Sequence, residues 1–315
     1  MFRKTSVLQS SSKWHQFFRS LRTQKQLWML CIPIIIWVII FNYYPMYGVL
    51  MAFVDFMPGR SIFECRFVGF KHFIWFVTNP AFPQLMRNTL AMSGLGLTLG
   101  FIAPILFSLL LNEIGHLRVK KMVQTISYLP HFISWVAAGS IVFLLLSSDG
   151  VINSILKQLN LIEQSIPFLT HGPYYWMIYT LVNMWKGIGW SSIIYLSAIA
   201  GIDEELYQAG AIDGLGRLGM AKYITLPSIL PTIVLLWIMG IGGILNAGFE
   251  QHLIIGNPMT QSYWDVLDTF SYRYGVQQGY YSMGTAVSLM KSVIGFILVY
   301  LTNRLSKRVF DVALF

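Results

Sequence analysis

The chain has 315 residues, 55% of them hydrophobic and 11% charged, with a formal net charge of +9 at pH 7. A soluble domain carries roughly 25% charged residues, so this chain lacks the charge to cover a water-facing surface. With a mean hydropathy of +0.59 and apolar runs of about 20 residues, it reads as an all-α integral membrane protein. The positive balance is dispersed through short segments between apolar runs, which argues against a nucleic-acid-binding face and for a role in orienting spans.

Residues 1–26 form a basic segment with Arg3, Lys4, Lys13, Arg19, Arg22 and Lys25 and no acid. Interspersed Trp14, Phe17 and Phe18 suit a short helix lying on the cytoplasmic leaflet. The apolar run that follows is too long for the h-region of a cleavable signal peptide. From there the pattern predicts six spans, at 27–49, 88–112, 126–147, 174–200, 228–249 and 283–303. Each is about 20 residues or more and crosses ~30 Å of hydrocarbon. Together they make one six-span domain over 27–303, with a polar loop at 201–227 and a tail at 304–315. Pro33, Pro104 and Pro130 fall within or at the ends of spans, where neighbouring helices satisfy the freed carbonyls.

With the N-terminus inside, the inside segments hold the six basic residues above and Arg118, Lys120, Lys121, Arg217, Lys222, Arg304, Lys307 and Arg308. The outside loops hold only Arg60, Arg66, Lys71, Arg87, Lys157 and Arg273. That excess sets both termini in the cytoplasm, with loop 201–227 facing it. The outside loops at 42–72 and 250–281 are long and aromatic. Trp75, Trp176, Trp264 and Tyr280 near span ends read as interfacial belt residues.

The polar loop begins with Asp203-Glu204-Glu205, and acids in a first turn behind an Asp N-cap start a helix favourably. Gly214 and Gly216 weaken its far end, and Leu226-Pro227 close the segment before the next span. Small Ala209, Gly210 and Ala211 beside bulky Leu206, Tyr207 and Ile212 suit close docking against a partner. An ordinary connecting loop is the plain alternative.

Nothing in the chain reads as an engine. No Gly-x-x-x-x-Gly-Lys-Ser/Thr phosphate loop is present. The six histidines are scattered, and Cys31 and Cys65 offer neither a disulfide framework nor metal spacing. The expectation is therefore no catalytic set and no cofactor on this chain, with energy supplied by a gradient or a partner. Gly94-Leu95-Gly96 and Gly240-Ile241-Gly242-Gly243 read as helix-packing positions. Ionisable residues inside spans are costly and therefore functional candidates. Lys186 lies about half-way along the fourth span, and Asn183, Lys186, Gly187 and Trp190 share one helical face. An amide, an ammonium, bare backbone and an indole together suit a sugar: rings stack on pyranoses and a cation pairs with a carboxylate. A Lys paired with a neighbouring helix or a lipid phosphate is the structural alternative. Lys291 in the sixth span is either pore-lining or paired.

The central loop resembles the cytoplasmic signature of permease subunits of binding-protein-dependent ABC importers, Glu-Ala-Ala, then Gly, then Ile-x-Leu-Pro. Here it reads Gln208-Ala209-Gly210, then Gly214, then Ile224-Thr225-Leu226-Pro227, at the family's spacing. Gln208 stands where the family usually has Glu, and Gly210 where it usually has Ala. The resemblance covers most of the chain, including Tyr44-Pro45-Met46-Tyr47-Gly48 and Asn88-Thr89, and is closest to the oligosaccharide and polysaccharide branch of the maltose-type permeases. It implies a type I importer permease fold and a coupling helix seated in a groove of a cytoplasmic ATPase. The coupling positions would be Glu205, Leu206, Tyr207, Gln208, Ala209, Gly210, Asp213, Gly214, Ile224, Leu226 and Pro227. For the sugar site it implies Asn183, Lys186, Gly187 and Trp190 before the signature and Gly240, Gly243, Ile244 and Ala247 after it, with Asn246 adjacent. The mostly small residues of the second group imply a roomy cavity.

The reading is thus a permease subunit, not itself an enzyme, of an ATP-driven oligosaccharide importer in a bacterial cytoplasmic membrane. Its implied partners are a second related permease, two copies of an ATPase carrying ATP and Mg, and an extracytoplasmic sugar-binding protein. Lys186 makes an acidic, uronate-containing cargo the preferred one. The alternative is a gradient-driven secondary transporter or channel for a small polar solute, which would want intramembrane carboxylates that the spans do not clearly place.

Overall fold

The structure, a computed structural model, describes residues 25–314. The helix expected within 1–26 lies outside the described residues, apart from its last two positions. The chain divides into two units, Met1–Met51 and Ala52–Phe315. In the first, Lys25–Val38 (α1) is α-helical and passes through a π-helical turn, Ile39–Tyr43, into the 3-10 stretch Tyr44–Phe53.

In the second unit a short loop is closed by a single bridge between Val54 and Phe67, followed by Lys71–Val77 (α2). Then come Phe82–Leu95 (α3) and Phe101–Asn112 (α4), joined through a π turn at Gly96–Gly100. Leu117–Tyr128 (α5) and Trp135–Leu146 (α6) follow, then Val151–Gln158 (α7) and the long Tyr175–Ala200 (α8). Glu204–Ile212 (α9) leads into Arg217–Met220 (α10), which continues through a π turn at Ala221–Thr225 into Leu226–Gly242 (α11). Three short helices, Glu250–Ile255 (α12), Gln261–Trp264 (α13) and Leu267–Tyr272 (α14), precede the last long one, Tyr281–Val309 (α15). No strand occurs among the described residues.

Three of the four π turns among the described residues share a cause; the fourth, Arg273–Gln277, precedes no proline. A helical proline clashes with the carbonyl four residues back. For Pro45, Pro104 and Pro227 that carbonyl belongs to Phe41, Gly100 and Tyr223, each inside a π turn. The widened turn makes room for the ring and the helix runs on.

Among the described residues, five helices are long and apolar enough to cross a membrane: Lys25–Phe53, Phe82–Asn112, Trp135–Gln158, Arg217–Gly242 and Tyr281–Val309. The remaining expected span, the fourth, is α8, with 26 residues and so about 39 Å of length. Its Asn183, Lys186, serines and aromatic rings keep its apolarity below that of the others. Two expected boundaries are corrected. The third span is not continuous over 126–147: the helix breaks at the 3-10 turn Leu129–Phe132 around Pro130, and Ser134 caps a new start. The fifth begins at Arg217, so Leu226-Pro227 lie inside it rather than closing a segment ahead of it.

Close crossings use bare backbone, as expected where lipid offers no hydrophobic drive for helix association. A Cβ on Gly189 of α8 would collide with the Ser127 carbonyl of α5, and one on Gly295 of α15 with the Gly242 carbonyl of α11. Gly275 and Gly284 face each other Cα to Cα in the same way. The apolar core gathers at the end of the second unit that carries α12 to α14. One cluster joins Met92, Val142, Tyr175, Tyr179, Ile255 and Val266, and the other joins Phe76, Leu85, Leu267, Phe270 and Val287. The opposite end of α8 leads into α9.

Candidate functional site

Helices α3, α4, α8 and α11 surround a cavity of about 290 Å³. Of the sugar-site residues expected from the sequence, Asn183, Gly187, Gly240, Gly243, Ile244, Asn246 and Ala247 line it. Lys186 and Trp190 do not. Successive helical residues are about 100° apart, so Lys186 turns from the cavity that Gly187 faces. Its Nζ instead donates to the carbonyls of His131 (2.6 Å) and Pro130 (3.3 Å). It also lies over the Trp135 ring at 5.3 Å. Trp190 stacks flat on His131, with 4.4 Å between ring centres. These two residues therefore serve the break between α5 and α6. The end of α5 and Pro130, which carries no N–H, leave carbonyls unpaired there, and an ammonium at a helix C-terminus answers both them and the dipole.

The cavity adds residues that sequence reasoning missed. Ser93, Gly96 and Gly100 line it from α3 and the π turn, and Tyr179, Thr180 and Ser191 line it from α8. A Cβ added to Gly94, Gly96 or Gly100 would meet nothing within 4 Å, so the Gly94–Gly96 run is not a packing contact. The Gly240–Gly243 run divides: Gly242 packs against Val299 and Gly295, while Gly240 and Gly243 border the cavity. The lining holds no charged side chain. It offers hydroxyls, amides and backbone, and the Ser93 hydroxyl has no hydrogen-bond partner. A polar, uncharged wall with Met and Ile between its polar groups suits hydroxyl-bearing rings. A larger cleft of about 640 Å³ lies between α6 and α8. It is lined almost wholly by aliphatic and aromatic side chains such as Val142, Leu146, Met177 and Leu181, and offers a sugar little to bond.

Beyond Ala247 a set of polar contacts ties α3, α8 and α12 to α14 together. Three consecutive residues of α3 hold the segment that precedes α14. Arg87 Nη2 donates to Ser262 O at 2.7 Å. Asn88 Nδ2 donates to Ser262 O (3.0 Å) and Asp265 O (2.9 Å). The Leu267 amide donates to Thr89 Oγ1 at 3.1 Å. Beside them Tyr179 donates to the Ala247 carbonyl, and His252 bridges the Tyr175 hydroxyl (2.9 Å) and the Ala247 carbonyl (3.0 Å). Burial pushes the His252 imidazole down to about 4. The ring is therefore neutral at pH 7, with Nε2–H donating to the carbonyl and Nδ1 accepting from the tyrosine. Lys291 is paired with Asp268, and Arg273 with Asp265. Of the two alternatives for Lys291, the paired one holds.

At the opposite end of α8, Asp203 caps α9 by accepting from the Glu205 amide at 3.0 Å. Tyr207 and Gly210 anchor α9. The tyrosine hydroxyl meets Thr225 Oγ1 at 2.9 Å, and buried Gly210 lies against Ile224, Met220 and Leu215. Glu205, Leu206, Gln208, Ala209 and Asp213 remain exposed, as do Leu226 and Pro227. Gly214 adopts φ +77°, a left-handed turn that favours glycine. Ile212 and Leu218 are 87% and 88% exposed, an apolar pair presented outward beside the helix.

Residues 96–311 match the family model described as "Binding-protein-dependent transport system inner membrane component". The chain is 40% identical over 300 residues to protein LplB of Bacillus subtilis (strain 168), covering 95% of this chain and 94% of that one. It is also 40% identical over 304 residues to the polygalacturonan/rhamnogalacturonan transport system permease protein YteP of the same organism, covering 96% and 94%. Among solved structures it superposes on a chain of the bacterial alginate ABC transporter in complex with alginate pentasaccharide-bound periplasmic protein. There the TM-score is 0.85 and the identity 36%, over 94% of this chain and 99% of that chain.

Proposed function

The chain belongs to the binding-protein-dependent transport system inner membrane components, with the type I ABC permease fold, and from that footing we propose that it carries acidic oligosaccharides across a bacterial cytoplasmic membrane. The observation that carries this reading is the cavity: polar, uncharged, and bordered by six of the eight residues that the signature's spacing selects, with Asn246 beside them. The acidic class is supported by the relatives named for polygalacturonan and alginate, both polyuronates.

In this reading Asn183, Gly187, Gly240, Gly243, Ile244, Asn246 and Ala247 contact the sugar, joined by Ser93 and Thr180. Lys186 and Trp190 act one step back by holding the α5–α6 break in place. Both termini and α9 face the cytoplasm, following the excess of basic residues in those segments. Glu205, Leu206, Gln208, Ala209 and Asp213, with Ile212, form the face of α9 that docks on a cytoplasmic ATPase. Tyr207 and Gly210, against Thr225 and Ile224, hold that helix on its support, Gly214 turns the chain after it, and exposed Leu226 and Pro227 border the docking face. A second related permease and two ATPase subunits, which bind ATP and Mg, complete the transporter, and an extracytoplasmic receptor delivers the cargo. ATP binding moves α9, and the helices that line the cavity shift access from one side to the other; both sites bias one shared element.

Uptake into proteoliposomes tests this. With the partner subunits, receptor and ATP inside, oligogalacturonates should accumulate, and removal of either ATP or receptor should abolish uptake. Accumulation driven by a proton or sodium gradient without ATP would instead support a secondary transporter.

A further inference from the structure

If the cargo is acidic, something in this chain has to read carboxylates, and the cavity wall carries no charge. The cations near it are nearly all committed. Lys186 is held by the Pro130 and His131 carbonyls, Lys291 by Asp268, and Arg273 by Asp265. Arg87 differs. It is exposed, and among the described residues no carboxylate pairs with it; its hydrogen bonds go to neutral oxygens of Ser262 and Asn88. Its guanidinium is nevertheless fixed. The Trp176 ring of α8 lies 5.5 Å away and the Tyr263 ring of α13 lies 5.1 Å away. Trp176 Nε1 in turn donates to the Tyr263 carbonyl at 2.9 Å. Three helices thus converge to hold one exposed positive charge that no carboxylate among the described residues answers.

We propose that Arg87, clamped by Trp176 and Tyr263, is a carboxylate-reading site for uronate units on their way into the cavity. The proposal rests on the import reading above. Arg87 lies five residues before the cavity-lining Met92, about 7.5 Å further along α3, on the side facing the receptor. Nε and Nη2 are engaged, and Nη1 keeps its donors for a ligand. From Nη1 the guanidinium can give a carboxylate a charge-assisted hydrogen bond, with the rest of the fork holding it in place. Two rings that already restrict the side chain remove most of the ordering cost of binding. The same rings present apolar surface to a pyranose beside the charge.

The test uses the complete reconstituted transporter at a receptor concentration just sufficient to saturate the wild type. Its probes are a short oligogalacturonate and the same oligomer with its carboxyl groups reduced to alcohols. Arg87→Gln should lower uptake of the acidic oligomer about tenfold, the effect of one lost charge-assisted contact, and leave the neutral oligomer within about twofold. Arg87→Lys keeps the charge and the stem but loses the fork. It should give a smaller loss confined to the acidic oligomer, and it carries the test if the Gln variant does not assemble. Equal loss of both oligomers, or no loss of either, overturns the proposal. If extra receptor restores both, Arg87 contacts the receptor protein rather than the sugar, which also overturns it. Wild-type uptake that ignores ATP and receptor would instead bring down the import reading itself.

Discussion

Of the two roles open to Lys186, at the sugar or paired with a neighbouring helix, the structure places it in the second. An ammonium deep in a span has to find partners, and the sequence makes that need visible. The partners themselves, two carbonyls at a break in a distant helix, depend on a fold that periodicity does not show. Lys186→Met should leave the Pro130 and His131 carbonyls unsatisfied and cost about 1–3 kcal/mol. Thermal unfolding in detergent checks the loss, and uptake of acidic and neutral oligomers should fall together. A loss confined to the acidic cargo would return Lys186 to the sugar. His252 makes a second prediction at this scale. Its folded pKa of about 4 lies below the usual 6.5, so the unfolded chain binds a proton that the folded one refuses. Stability from this group is complete above pH 6.5 and falls as pH drops toward 4, by on the order of 3 kcal/mol. His252→Gln should flatten that part of the curve of unfolding midpoint against pH; an unchanged slope would contradict it.

At the scale of elements, neighbouring glycines on α8 have opposite roles. Gly187 has open space around its Cα, whereas Gly189 touches the α5 backbone. Gly189→Ala should destabilise the protein by about 1–3 kcal/mol or prevent its assembly. Gly187→Ala should leave the unfolding midpoint unchanged and alter cargo affinity, since its methyl enters the cavity. The helices themselves are largely legible in the sequence: long apolar runs place α3–α4, α8, α11 and α15, and the Asp203 cap places α9. The break at Pro130, the early start at Arg217 and the π turns are not. A proline marks where a ladder must adjust without saying whether the helix widens, as at Pro104 and Pro227, or stops, as at Pro130. The cavity's second wall, Ser93 to Gly100, escapes the sequence because small residues in a span look alike whether they meet a helix or a void. On α9, Leu206 is 50% exposed. Leu206→Asp should keep the unfolding midpoint while abolishing ATP-driven uptake, and retained uptake would remove α9 from the docking face.

For the molecule as a whole, the chain divides its tasks between the two ends of α8. One end carries polar latches over a sugar-sized cavity, and the other presents a capped helix with exposed apolar residues and no nucleotide motif of its own. In the proposed importer, chemical energy arrives through a partner that docks on that helix. The most direct measurement is ATP hydrolysis by the complex that copurifies with this chain from detergent, with and without oligogalacturonate-loaded receptor. We expect an ATPase and a second permease to come down with it, and hydrolysis to rise when loaded receptor is added. A chain that purifies alone, or a complex whose hydrolysis ignores the loaded receptor, would contradict the importer reading.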